Sequence, residues 1–440
     1  MKSLKIILGL LIMIAIVSGC SKGTDKEANQ GTENSPVPAP TETAIKEPVE
    51  ELEPVTLKLY HPGGYFSEQD FKSLLADPVK KKYKHITLEM VATPESLENL
   101  FAAGEQIDLY ATFYGNLKGF EDLNFLGDIT PLAEKYNFDL SRFDQGALDA
   151  VRAMSDKGEL YALPYARNIN GLYYNKDIFD KFAIPYPKDG MTWEEATELA
   201  KKLTSEVDGV KYRGIAPQSH EVLLFQKSLA FVDAKTDAVM EDIEPYKAAF
   251  EVGKQIYSIA GNEYDPNPFG SFFEAKNLAM FASVNLFHIL KTIPELNWDV
   301  AQFPSFSDKP NIGTLYDLHV IAPNKNSKHQ DDIMRVMEVL FSDEVQMDMV
   351  RKNAKVSTLA DAKYKEQFGQ DIPELQGKSI DSVFKTTPAP APGFSPYLGE
   401  ASVILGTKYA EYMQGQKDVN TALREAKEEI EKHIAAVKQK

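Results

Sequence analysis

Cysteine is nearly missing from this chain: there is one, Cys20, in 440 residues. An intramolecular disulfide is therefore excluded, and so is a zinc site built on several thiolates. Histidine is sparse as well, with seven in all and no two at a spacing suited to sharing a metal ion. No metal and no other cofactor is expected. Basic excess is also lacking: 48 Lys and Arg against 65 Asp and Glu leave a formal net charge of −17. No basic excess is left to neutralise a phosphate backbone, which argues against a nucleic-acid partner. Acidity of this kind serves solubility. The chain contains no G-x-x-x-x-G-K-[ST] phosphate loop and no G-x-G-x-x-G, H-E-x-x-H or G-x-S-x-G motif. Glycoside hydrolysis needs two paired carboxylates, and no motif singles out a pair here. With only two Trp, an aromatic binding surface has to be drawn from 20 Tyr and 24 Phe.

What is present begins at the N-terminus. Lys2 and Lys5 precede an almost continuously apolar run over residues 6–17, and Ser18-Gly19-Cys20 follows at once. A basic start, a short apolar stretch and small residues make a secretory signal, too short for a permanent span of about 30 Å. Val17-Ser18-Gly19-Cys20 resembles the bacterial lipobox, in which the cysteine receives a diacylglycerol and cleavage occurs before it. Residues 1–20 are thus read as a lipoprotein signal with lipidation at Cys20. Two or three acyl chains anchor firmly where one does not. Residues 21–54 are rich in Glu, Thr, Pro, Gly, Asn and Ser and have no aromatic residue. Such a stretch cannot offset its ordering entropy by burial, so it is expected to be a disordered tether reaching on the order of 30 Å.

The remainder is long enough for two lobes, and 43% apolar residues allow a large core. Alternating runs at 55–60, 86–91 and 107–113 read as strands, with amphipathic segments at 71–83 and 143–154 reading as helices. Short strands are expected at 160–163 and 171–175, then at 278–281, 298–302 and 318–322. Thr192-Trp193-Glu194-Glu195 is a capping box opening a helix with Ala196, Leu199, Ala200 and Leu203 on its apolar face. Further helices are expected at 222–231, 246–259, 331–341 and 419–437, the last with Leu423, Ala426, Ile430, Ile434 and Val437 in one stripe. Alternation of this kind implies α/β layers with parallel or mixed sheets. Trp193 and Trp298 read as core.

Several segments, in order, carry a resemblance. Gly158-Glu159-Leu160-Tyr161-Ala162-Leu163-Pro164-Tyr165 and Leu172-Tyr173-Tyr174-Asn175-Lys176-Asp177-Ile178-Phe179 are the most characteristic. Ile184-Pro185-Tyr186-Pro187-Lys188-Asp189-Gly190-Met191-Thr192-Trp193 continues the pattern, as do Ala279-Met280, Trp298-Asp299-Val300-Ala301 and Ala422-Leu423-Arg424-Glu425-Ala426. The chain resembles the family 1 extracellular solute-binding proteins of ABC importers from residue 55 to its end. It departs from them at Glu274-Ala275-Lys276-Asn277 and at Val284-Asn285-Leu286-Phe287-His288, where the family has a Gly- and Lys-containing turn and a Trp.

The resemblance implies a class II, two-lobe periplasmic-binding-protein-like fold, each lobe a mixed sheet flanked by helices. Lobe 1 would comprise 55–164 and 315–362, and lobe 2 would comprise 165–314 and 363–440. Hinge joints are expected near 164–170, 313–317 and 361–369. The implied function is capture of a carbohydrate, mono- or oligosaccharide, for the permease of an ABC transporter, without catalysis. The alternatives are the same fold carrying a non-sugar solute, such as a peptide or polyamine, and a carbohydrate-active enzyme. A monomer held on the extracytoplasmic face of the membrane, at a Gram-positive cell surface, completes the expectation.

Sugars are held by aromatic faces over C–H patches and by planar polar side chains on hydroxyls. Loops at strand C-terminal ends are where open α/β sheets bind ligands. Tyr65 and Phe66 follow the first strand, Phe113 and Tyr114 end the third, and Tyr397 stands beside a Pro-rich loop at 388–396. The polar candidates are Arg167 and Asn170 in the first joint, His220 and Glu221 ahead of a helix, Asn285 and His288 after the Ala-Met strand, and Asp317 at the second joint. Arg167 serves either a ligand carboxylate or the hinge itself, and Asp317 either a ligand or a latch between lobes.

The lipobox reading makes Cys20 the sole membrane attachment. Fractionation of cells producing the Cys20→Ser chain should find a folded, soluble body; protein that stays firmly in the membrane fraction contradicts that attachment.

Overall fold

Val55, Leu57 and Leu59 are buried while Thr56 between them is exposed, the two-residue period expected of a strand with a covered face. The computed structural model describes residues 52–439, apart from positions 63, 64, 93, 94, 121 and 122. Cys20, the signal segment and the tether through residue 51 lie outside the described residues, as do Gly63 and Gly64.

Thirteen strands form among the described residues. The first four are β1 (Val55–His61), β2 (Ile86–Ala92), β3 (Leu109–Phe113) and β4 (Leu163–Arg167). Then come β5 (Asn170–Asn175), β6 (Ser205–Val207), β7 (Val210–Pro217), β8 (Leu278–Val284) and β9 (Trp298–Gln302). The last are β10 (Ile312–Leu315), β11 (Leu318–Pro323), β12 (Val356–Ser357) and β13 (Thr387–Ala389). One sheet has the order β12-β4-β11-β3-β1-β2, a second β6-β7-β8-β5-β9, and β10 pairs with β13 alone. In the first, β1 runs parallel to β2 and β3, whereas β11 is antiparallel to β3 and β4. In the second, β7 and β8 are parallel and β5 is antiparallel to both its neighbours. Both sheets are mixed, as expected.

The second sheet is covered on both faces, which is why β5 and β8 read as unbroken apolar runs. Leu172, Tyr174, Met280 and Ala282 enter one apolar cluster, while Tyr173 and Phe281 enter another on the opposite face. Register makes this exact pairing unavoidable: Leu172 stands opposite Ala282, Tyr173 opposite Phe281 and Tyr174 opposite Met280. Each fully buried Leu or Phe contributes about 1.5–3 kcal/mol.

The Thr192 capping box forms, with Glu195 returning the bond to the cap, and opens the helix Trp193–Leu203. Trp193 and Trp298 are core residues. Trp193 Nε1 donates to Gln226 Oε1 at 2.8 Å, and Gln226 Nε2 donates to the carbonyls of Pro304 at 2.8 Å and Ile312 at 2.6 Å. One buried amide thereby ties the end of helix His220–Gln226 to the strand layer beneath it.

The structure departs from the sequence pattern in several places. The helix expected at 71–83 divides into Glu68–Phe71, a π-turn Lys72–Ala76, and Asp77–Lys82. Pro78 has no N–H and its ring crowds the carbonyl four residues back, so the preceding turn widens. The strand expected at 160–163 begins only at Leu163, because residues to Arg167 pair with β11 and β12. Strand β7 and the helix Leu398–Met413 are additional. In the C-terminal helix Val419–Lys438, Leu423, Ala426, Ile430 and Ile434 are buried but Val437 is exposed, so the stripe outruns its packing surface by a turn.

Candidate ligand-binding cleft

The chain passes from the first sheet to the second between β4 and β5, through Asn168 and Ile169 alone. It returns between β10 and β11 through Tyr316 and Asp317. These links touch: Asn168 N donates to the Asp317 carbonyl at 2.8 Å, and Asn168 Nδ2 donates to Asp317 Oδ2 at 3.0 Å. Above them opens a cavity of about 460 Å³.

Loops beyond strand C-terminal ends build its walls, where an α/β sheet leaves side chains free to converge. From the first sheet come Tyr65, Phe113 and Asn116; from the second, Gln218, Ser219, Glu221, Val222, Phe225 and Val284. Leu398, Gly399 and Ser402 close one side, and Asn168, Thr314, Leu315, Asp317 and His319 form the floor. The polar groups are positioned by their neighbours. Asn116 Nδ2 donates to Thr112 Oγ1 at 3.0 Å. Gln218 Oε1 accepts from Ser283 Oγ at 2.6 Å and Val284 N at 3.0 Å, so its two N–H donors are left for the cavity. Glu221 accepts from Ser219 Oγ at 3.3 Å and from Ser402 Oγ. Tyr65 meets the His319 ring edge-on, centroids 5.1 Å apart.

Burial sets the charge of the floor. It pushes the Asp317 carboxyl up to about 6, with nearby Glu221 adding to the shift and the Asn168 hydrogen bond opposing it. Burial pulls His319 down to about 3, helped by the positive Lys355 and by His288. The imidazole is therefore neutral at pH 7, and among the described residues no Lys or Arg lines the cavity. The surface offers amides, hydroxyls, two acids and aromatic rings, which suits an uncharged ligand rich in hydroxyl groups.

Of the residues expected from the sequence, Tyr65, Phe113, Glu221 and Asp317 line this cavity. Phe66 is buried instead, stacked on Tyr165 at 4.8 Å. Tyr114 is fully buried between Phe113 and Phe394, at centroid distances of 4.9 and 5.5 Å. Asn170 Oδ1 accepts from Thr314 N at 3.0 Å and Thr314 Oγ1 at 2.8 Å, a clip between the two links. His220 packs on Gly406, between the rings of Phe231 and Tyr409. Asn285 Nδ2 donates to the Ala354 carbonyl at 2.7 Å, and its Oδ1 accepts from Phe287 N at 3.0 Å. His288 is exposed on the short helix Phe287–Leu290. Tyr397 packs on the second sheet's helices just ahead of Leu398. Arg167 lines a different cavity. Asn116, Asn168, Gln218, Ser219, Thr314, His319 and Ser402 were not anticipated. Asn168 could have been found, since it lies inside the expected joint; Gln218 and Ser219 follow a strand whose start is polar and exposed.

Comparison with known proteins bears on this architecture. Residues 65–347 match the family described as bacterial extracellular solute-binding protein. The sn-glycerol-3-phosphate-binding periplasmic proteins UgpB of Brucella abortus and Brucella suis are each 38% identical over 82 residues. That match spans only 18% of this chain and 18% of theirs. An ABC substrate-binding protein of Listeria monocytogenes in complex with cycloalternan has a TM-score of 0.71 at 18% identity, over 87% of this chain and 100% of that one. A sugar transporter of Rhizobium etli in an open conformation gives 0.69 at 18%, over 86% and 99%. Maltose-bound MalE3 of T. maritima gives 0.64 at 18%, over 86% and 99%. These likenesses establish the fold: two α/β lobes with mixed sheets.

The floor has a pH signature. Asp317 keeps its proton to about 6 in the folded chain against an ordinary 3.8, so its contribution to stability falls as pH rises through that window. His319 stays neutral down to about 3 against an ordinary 6.5, so its contribution rises with pH from 3 to 6.5. The two slopes oppose each other between roughly pH 4 and 6. Replacing Asp317 by Asn removes the falling one, so the stability of the variant relative to wild type should climb across that range by about 3 kcal/mol. Urea unfolding at stepped pH measures this; a constant offset between the two proteins contradicts it.

Proposed function

This chain belongs to the bacterial extracellular solute-binding protein family, and we propose that its cleft captures an uncharged carbohydrate for an ABC importer. The observation that carries the reading is the cavity lining: aromatic rings and planar amides beside two acids, and no cation. Sugars are held by such a combination, rings covering C–H faces and amides and carboxylates meeting hydroxyls. Cycloalternan and maltose occupy structural neighbours of this fold, which supports the same class here. The short stretch shared with glycerol-3-phosphate-binding proteins points to a second cargo. A phosphate would need a donor such as Arg or Lys, and the lining supplies neither. The family and its neighbours are binding proteins rather than enzymes.

Tyr65, Phe113, Glu221 and Asp317 are our assigned ligand contacts, together with Asn116, Asn168 and Gln218. We assign residues 55–164 with 315–362 to one lobe and 165–314 with 363–440 to the other, closing across the links at the cavity floor. Delivery would follow docking of the closed, monomeric form on the permease. No helix among the described residues is long and apolar enough to cross a membrane. Attachment is assigned to a lipid on Cys20, and an extracytoplasmic, Gram-positive surface fits that anchor.

Thermal-shift and calorimetric titration with neutral mono- and oligosaccharides, a uronate and glycerol 3-phosphate tests the cargo. A neutral sugar should bind best, and Tyr65→Ala or Asn168→Ala should weaken it by about 1–3 kcal/mol. Tighter binding of the uronate or of glycerol 3-phosphate than of every neutral sugar contradicts the reading.

A further inference from the structure

Sequence reasoning placed Arg167 and Asn170 together in one polar joint, but the structure separates them. Asn170 clips the two links, while Arg167 ends β4 and points its guanidinium at a second cavity of about 560 Å³. Phe143 and Leu359 bring this cavity the core of the first sheet, and Phe368 and Phe384 bring it a cluster of the second. Anything inside touches both bodies.

Two acids and two cations line it, with Asp144 near enough to Arg167 to act on its charge, and they differ in how fully they are satisfied. Both acids are engaged. Asp144 Oδ1 accepts from Gly146 N at 2.9 Å and Ala147 N at 3.4 Å, and the Tyr316 hydroxyl stands near the same carboxylate. Gly146 is what lets that hydroxyl approach, since a Cβ there would lie 2.6 Å from it. Asp361 accepts from Lys363 N at 3.0 Å and pairs with Lys363 Nζ at 3.3 Å. The two cations are free by comparison. The Arg167 guanidinium makes no hydrogen bond or ion pair with any described side chain, although burial is deep enough to pull its pKa below the ordinary 12.5. Lys365 at the mouth has only the face of Phe384, 5.2 Å from its ammonium.

A half-buried guanidinium without a hydrogen-bonded protein partner is free to meet a carboxylate in a bidentate pair. The rest of the wall is mostly apolar and aromatic, with Ser141, Gln145, Ser357 and Thr358 among it. We infer that this cavity is a second binding site, for a small carboxylate carried on an apolar body. The carboxylate pairs with Arg167, the body lies among Phe143, Phe368 and Phe384, and Lys365 guards the mouth. The inference is independent of the cargo proposed for the cleft.

Calorimetry on the whole chain with benzoate, its uncharged analogue benzamide and inorganic phosphate tests it. Benzoate should bind one to one, and benzamide and phosphate should each be at least tenfold weaker, by the usual strength of a charge-assisted pair. Arg167→Gln should lose at least tenfold for benzoate. Lys365→Gln, on an exposed helix and safe for folding, should lose roughly threefold. Benzoate binding that survives Arg167→Gln places the ligand elsewhere and overturns the site. Equal affinity for benzoate and benzamide overturns the role of the charge, and absence of benzoate heat at about 50 mM overturns both. If Arg167→Gln fails to fold, the benzamide comparison and Lys365→Gln decide the matter alone.

Discussion

Two sheets of this chain are held in working relation by hydrogen bonds between the links that join them. Asn168 reaches Asp317 through backbone and side chain at once, and Asn170 receives both the amide and the hydroxyl of Thr314. This seam is short and largely polar, and the closure proposed above would need changes in dihedral angle at only a few of its residues. It also carries the most strongly shifted groups in the cleft, Asp317 and His319. The joint and the binding floor are the same residues, and a ligand that touches the floor acts directly on the joint.

The cores hold each sheet firmly in place. Period-two alternation sends Tyr173 and Tyr174 into different clusters, so β5 is locked on both faces. Gln226 extends that rigidity to the helix bearing Glu221 by answering one indole and two carbonyls. Side chains facing the cleft are thus mounted on fixed supports, which lowers the ordering cost of binding. The unlined charge lies on another cavity: Arg167 is directed away from the neutral-ligand surface, and the cleft keeps its uncharged character.

Much of this was legible in the chain. The capping box at Thr192, the apolar runs of β5 and β8 and the β-α alternation each follow from local chemistry, and with the resemblance they point to two mixed-sheet lobes. The cleft was legible only in part. Tyr65, Phe113, Glu221 and Asp317 could be placed because they end strands or joints. Tyr114 could not be told from Phe113 by sequence, since one of two adjacent aromatics faces the core and only the strand register decides which. Asn170 and Arg167 looked equivalent, yet their backbones pair in different sheets and send the side chains to different places. Gln218 and Ser219 were hidden behind β7, whose Val210-Lys211-Tyr212-Arg213 alternation is short and stops at Gly214.

The central claim is that the lobes close on an uncharged sugar bound above the Asn168–Asp317 seam. Small-angle scattering of the chain with and without the tightest-binding neutral sugar measures it most directly. The account predicts a smaller radius of gyration at saturation. A scattering profile unchanged at saturation, with binding verified in the same sample, would contradict it.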